Sequence, residues 1–114
     1  MIFVLSLFYF FPNRKFSDLN LDNIFGFILN IPNPVSLWKT IITLGNVSNR
    51  HWIAIRSIDG VFINFDSKLN RPEKIGDSQK LEKFILKYLQ NDSQVLIVVT
   101  EEVDENESWK TTNY

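Results

Sequence analysis

Cysteine is absent from this sequence. Disulfides, thiolate metal sites and a cysteine nucleophile are therefore excluded within these 114 residues. The absence says nothing of redox compartment, because a cysteine-free chain suits either environment. Histidine occurs once, at His51. One imidazole with scattered carboxylates is a poor ligand set, so no metal is expected. An excess of one charge is also missing: 12 Lys and Arg face 13 Asp and Glu, a net charge of −1. Such a chain has no basic footprint for nucleic acid and is no acidic solvating tail. It has no Gly/Ser linker and no internal repeat. Its length fits one domain on the usual scale of ~100–200 residues.

What is present is globular in character. Apolar residues make up 45% and charged residues 22%, which excludes a disordered chain or a collagen. Twelve residues are Asn, and the three N-x-S sequons (at Asn46, Asn91 and Asn106) are expected as chance matches.

The chain begins MIFVLSLFYFF, apolar and uncharged from Met1 to Phe11. A membrane helix needs ~20 such residues. A signal peptide needs a basic start and a small-residue cleavage site, and neither is present. Ile, Phe, Val and Tyr favour strands, so a buried strand is expected. A degenerate anchor, or a coding start lying further upstream, are the alternatives.

From Asp18 to Leu29 the apolar residues Leu21, Ile24, Phe25 and Ile28 fall at helical spacing. This predicts a helix capped by Asp18 and ended near Asn30, before Pro32-Asn33-Pro34 forces an extended turn. A connection over residues 35–50 carries a candidate strand at Thr40 to Leu44, closed by a Gly45-Asn46 turn. Further on, a loop over Ser67 to Gly76 leads to an amphipathic helix over Ser78 to Gln90. Asp77 or Ser78 caps that helix, and Leu81, Phe84, Ile85, Tyr88 and Leu89 form its apolar stripe. Val95 to Thr100 reads as a buried strand. The acidic tail from Glu101 is expected to be loose, with Trp109 as its only large anchor.

The clearest local signal is a hairpin. Trp52-Ile53-Ala54-Ile55-Arg56 and Val61-Phe62-Ile63-Asn64-Phe65 flank Asp59-Gly60. A two-residue type I′ turn needs positive φ at both positions, which Asp-Gly supplies. The register then pairs Ile58 with Val61, Arg56 with Ile63 and Ile55 with Asn64. Paired residues share a face and faces alternate along a strand. Trp52, Ala54, Val61, Ile63 and Phe65 form one face, expected to be the core. The other carries Ile53, Ile55, Phe62, Asn64 and Asp66, with His51 one step beyond Ile53. His51 is thus diagonal to Asp66, and diagonal neighbours lie about 7–8 Å apart at the backbone. A carboxylate there fixes the imidazole tautomer and frees the other ring nitrogen as a base. A packed histidine and a turn aspartate fit the same residues, so geometry alone leaves the choice open.

A family resemblance appears at these residues. Asn49-Arg50-His51-Trp52, Asp59-Gly60, Asn64-Phe65-Asp66-Ser67-Lys68-Leu69 and Arg71-Pro72-Glu73 stand in an order that resembles the Josephin family of cysteine deubiquitinases. Leu29-Asn30-Ile31-Pro32 and Pro34-Val35-Ser36-Leu37 upstream are similar to the same family. So are Val98-Val99-Thr100-Glu101-Glu102-Val103 and Ser108-Trp109 downstream. The resemblance covers about residues 21–112 and is closest to small members that consist of little but the Josephin domain.

The resemblance implies an α+β, papain-like antiparallel sheet with flanking helices, incomplete for want of an N-terminal helical subdomain. It divides the chain into an apolar segment over residues 1–20, the C-terminal part of a Josephin domain over 21–103, and a tail over 104–114. It implies a thiolate attack on the carbonyl at a ubiquitin C-terminus, with a histidine as base and an Asn or Asp orienting it. His51 then matches the catalytic histidine and Asp66 its orienting residue, with Asn64 and Trp52 as supporting residues. No cofactor is implied. The partners implied are ubiquitin or ubiquitinated proteins, and the expected setting is intracellular, in the cytoplasm.

One departure outweighs these matches. The family's cysteine has no counterpart here, and Ser48, Ser57 and Ser67 have ordinary turn or strand explanations. The oxyanion donor expected near that cysteine is missing too. Three readings follow: a truncated deubiquitinase chain, inactive alone and unstable where its His51 face lacks the helical half; a short non-catalytic ubiquitin-binding module; or a small structural α+β domain with an apolar anchor.

Overall fold

The computed structural model describes residues 3–8, 15–32, 50–88 and 93–111. Six strands form a single antiparallel sheet: β1 (Phe3–Phe8), β2 (Gly26–Pro32), β3 (Arg50–Ile58), β4 (Val61–Asn64), β5 (Glu73–Gly76) and β6 (Gln94–Thr100). Their order across the sheet is β1-β6-β2-β3-β4-β5. Among the described residues two helices accompany it, α1 (Ser78–Tyr88) and α2 (Glu101–Asn106), with short 3-10 turns at Phe16–Asp18 and Leu21–Asn23. The class is α+β, as expected. No helix among the described residues is long and apolar enough to cross a membrane.

The β3–β4 hairpin has the expected register, with Ile58 opposite Val61, Arg56 opposite Ile63 and Ile55 opposite Asn64. Asp59 and Gly60 take φ values of 52° and 79°, the left-handed pair that a two-residue turn requires. The apolar N-terminal run forms β1, paired with β6 at one edge of the sheet. Of the expected strand Met1 to Phe11, its first two and last three residues lie outside the described set, as do the candidate strand at Thr40 to Leu44 and the Gly45-Asn46 turn.

The helix expected over Asp18 to Leu29 is not formed. Two 3-10 turns occupy its first part, and β2 starts at Gly26. Spacing misled because Leu21, Ile24 and Ile28 suit a helix, while Phe27, Leu29 and Ile31 alternate as a strand. Tertiary context decides for the strand. β2 lies between β3 and β6, so its ladder is satisfied on both sides. Gly26 points the same way, since a Cβ there would meet the Ile55 carbonyl oxygen at 2.5 Å. Glycine in a helix interior is costly; here it permits β3 to approach β2.

The core lies on one face of the sheet. Phe27, Leu29, Ile31, Ile53, Ile55, Phe62, Val95, Ile97 and Val99 point into it, and Leu81 and Ile85 of α1, Phe16, Leu19 and Trp109 cover them. This reverses the expected face of the hairpin. Ile53 and Ile55 are buried, whereas Trp52 is 55% exposed and Phe65 38%. Both faces of the hairpin are apolar, so alternation fixed the partition but not its direction. What decides the direction is the side on which α1 crosses. Asp77 caps that helix, its Oδ1 accepting from Lys80 N at 3.0 Å, and the apolar stripe expected on it meets the Ile53 face. Leu89 and Gln90, expected in the same helix, lie outside the described residues.

The segment expected to be a loose tail is built into the fold as far as Thr111. Thr100 caps α2 by accepting from Val103 N at 3.3 Å, and acidic side chains fill its first turn, where the helix dipole favours them. Glu107 then turns the chain with φ 56°, and Trp109 enters the core. Backbone bonds join this turn to the 3-10 region: Asn20 N donates to Trp109 O at 2.7 Å and Thr111 N to Asp18 O at 2.8 Å. Asn23 Nδ2 adds a bond to Ser108 O at 2.8 Å. The acidic composition of 101–107 suggested solvation; the buried indole and these bonds override it.

Two stability measurements test this account. Gly60→Val should lose about 1–2 kcal/mol or more in urea unfolding, because a β-branched residue resists the left-handed conformation. The space around Gly60 is open, so the loss is conformational rather than steric. Trp109→Ala should lose about 3–5 kcal/mol, the usual cost of emptying a buried indole site. A change below 1 kcal/mol would show that the C-terminal turn does not hold the core.

Candidate functional site

His51 stands near the start of β3 and Asp66 just beyond the end of β4. The tight turn fixes their relation. With Ile55 opposite Asn64, the strand continues past Asn64 as Phe65 N donates to Ala54 O at 2.8 Å. That brings the Asp66 side chain to the His51 face. His51 Nε2 meets Asp66 Oδ1 at 2.5 Å, with side chains 12% and 14% exposed. The diagonal pair read from the sequence is therefore joined in the structure.

An ionised carboxylate only accepts, so the proton of this bond belongs to Nε2 in the neutral ring. Among the described residues Nδ1 has no hydrogen-bond partner. The arrangement thus leaves an unprotonated ring nitrogen to take a proton from a nucleophile. No such nucleophile of the thiol kind exists in the sequence.

Asp66 is held from three sides. Its backbone N–H donates to Asn64 Oδ1 at 2.8 Å, its Oδ1 also accepts from Lys68 N at 2.9 Å, and its carbonyl accepts from Leu69 N at 3.0 Å. The Lys68 amide was not foreseen. Its signal was available, because an Asp followed two residues later by a free N–H forms an Asx-turn. Asn64 is buried beside the pair. Trp52 is not brought to it, since its side chain lies on the opposite, exposed face of β3. Among the described residues no group of three or more His, Cys, Asp or Glu side chains is placed to hold a metal ion.

A paired and a packed histidine differ in stability. His51→Ala removes one net hydrogen bond and should cost about 1 kcal/mol in a denaturant melt. Ile53→Ala, on the same face of the same strand, should cost about 2–5 kcal/mol. Equal losses would make His51 a core residue.

Comparison with known proteins shows the family. The Josephin family model matches residues 8–99. Human Josephin-2 is 45% identical over 101 residues, which cover 88% of this chain and 52% of that protein. Mouse Josephin-2 is 43% identical over the same share of both chains. A Josephin-like protein of Drosophila melanogaster is 42% identical over 86 residues, 75% of this chain and 38% of that protein. The chain spans about half the length of the curated Josephin-2 relatives it matches. With the match running from the last residue of β1 into β6 and spanning the positions of His51 and Asp66, the chain belongs to the Josephin family.

Proposed function

We propose that His51 and Asp66 are the histidine and the orienting carboxylate of a Josephin-type deubiquitinase site, which hydrolyses the isopeptide bond at a ubiquitin C-terminus by a cysteine mechanism. The observation that carries this reading is the His51 Nε2–Asp66 Oδ1 bond, with Nδ1 left open among the described residues. In such a site Nδ1 takes the thiol proton. The thiolate attacks the ubiquitin carbonyl, and the imidazolium returns the proton to the leaving amine. Asp66 keeps the ring in the tautomer this needs and stabilises the imidazolium. Asn64 supports Asp66, and Trp52 stands apart on the other face.

The second reading is a non-catalytic module that binds ubiquitin. What favours it is the composition: with no cysteine in the 114 residues, this chain supplies a base and no nucleophile.

Two measurements test the readings, and the second separates them. The chain alone, given ubiquitin carrying a fluorogenic C-terminal amide, should show no release above buffer. The intact mass of the native protein from its source is then compared with the 13.4 kDa of this chain. A heavier, cysteine-bearing product whose amide hydrolysis falls by about 10³–10⁴-fold in His51→Ala supports the deubiquitinase. The same product unaffected by His51→Ala and Asp66→Ala overturns it. A native mass equal to this chain, with measurable ubiquitin binding in titration calorimetry, favours the module.

A further inference from the structure

Asn64 is the last residue of β4, buried, and its side-chain oxygen accepts the backbone N–H of Asp66 at 2.8 Å. That amide has lost its place in the sheet. Phe65 N donates across the hairpin to Ala54 O, so the following N–H faces away from β3. On that side β5 begins at Glu73, opposite Asn64, and offers nothing further along. A partly buried amide without a partner costs stability, and Asn64 supplies the partner in an Asx-turn. A second such turn follows at once, with Asp66 Oδ1 accepting from Lys68 N at 2.9 Å. The first turn fixes the Asp66 backbone and the second fixes its carboxylate.

We propose that Asn64 is a positioning residue of the His51–Asp66 pair: by holding the Asp66 amide it keeps Asp66 Oδ1 on His51 Nε2. This rests on the reading of that pair as the functional dyad. Asn64 acts through Asp66 and makes no hydrogen bond to the imidazole among the described residues. Ordinary packing cannot replace it, because the function lies in one acceptor atom two residues before the carboxylate.

The test reads the imidazole proton itself. His51 is the only histidine, so its ring signals in the ¹⁵N-labelled chain need no assignment. A Nε2 proton held by a carboxylate resonates far downfield and exchanges slowly with water; a free one exchanges away. The proton is expected in the wild type and absent in Asp66→Ala. In Asn64→Ala and in Asn64→Leu, which fills the site without an acceptor, it should exchange about tenfold faster or vanish, the scale of weakening one charge-assisted bond. Asn64→Ser, whose hydroxyl forms the same kind of turn, should restore it. Ile55→Val serves as the structural control, lowering Tm while leaving the proton in place.

The failures are distinct. A wild-type proton in either acceptor-free variant overturns the role of Asn64 and leaves the dyad standing. A wild type without the proton, or one indifferent to Asp66→Ala, overturns the dyad and the positioning role with it. If Asn64→Ala does not fold, Asn64→Leu against Asn64→Ser carries the same decision.

Discussion

Two consecutive positive φ angles, at Asp59 and Gly60, set the geometry on which the rest of the molecule depends. A two-residue turn permits one register between its strands, and a slip of one residue would send every side chain of one strand to the opposite face. The register that results aligns Ile53, Ile55 and Phe62 toward α1 and carries His51 and Asp66 to one end of the same face. Core and candidate site are therefore consequences of the same turn.

The sheet is held together across its width by contacts distant in sequence. β2, itself expected to be helical, is the element through which the two halves communicate, with β3 on one side and β6 on the other. The Gly26 approach to Ile55 O allows that pairing to be close. On the covering side Trp109 and the bridge between Leu19 and Lys110 bind the C-terminal turn to the 3-10 region. The second face keeps Trp52, Ile58, Phe65 and Phe25 exposed among the described residues, and Arg56 lies over the Phe25 ring at 4.5 Å. An apolar sheet face need not be the core face; helix placement selects between two that are similar in composition.

This explains which parts were legible in the sequence. The hairpin, α1 and β6 were legible because each rests on local chemistry: a dipeptide with its own φ preference, a capped stripe, a run of β-branched residues. The fate of residues 18–29 was not, because Leu21, Ile24 and Ile28 have helical spacing while Phe27, Leu29 and Ile31 have strand spacing, and only the neighbouring strands break the tie. The direction of the core face and the anchoring of Trp109 depend on contacts distant in sequence, which no local pattern reports (Leu19 meets Lys110, for instance). The His51–Asp66 pair was legible for the opposite reason. It is separated by 15 residues and reached through one turn, so its geometry follows from register alone.

That locality bears on the chemistry. A dyad assembled from distant segments would lose its alignment whenever those segments shift. Here the orientation of the imidazole depends on a short hairpin and on two successive Asx-turns, Asn64 to Asp66 and Asp66 to Lys68. The residues that hold the His51 ring thus lie across one tight turn from it, and the thiol that the proposed reaction requires is not among these 114 residues. Preorganisation of the base costs nothing at the moment a nucleophile meets it, which is the condition under which a fixed dipole contributes most to a transition state. The geometry of the His51–Asp66 pair is accordingly set by the hairpin and its two Asx-turns.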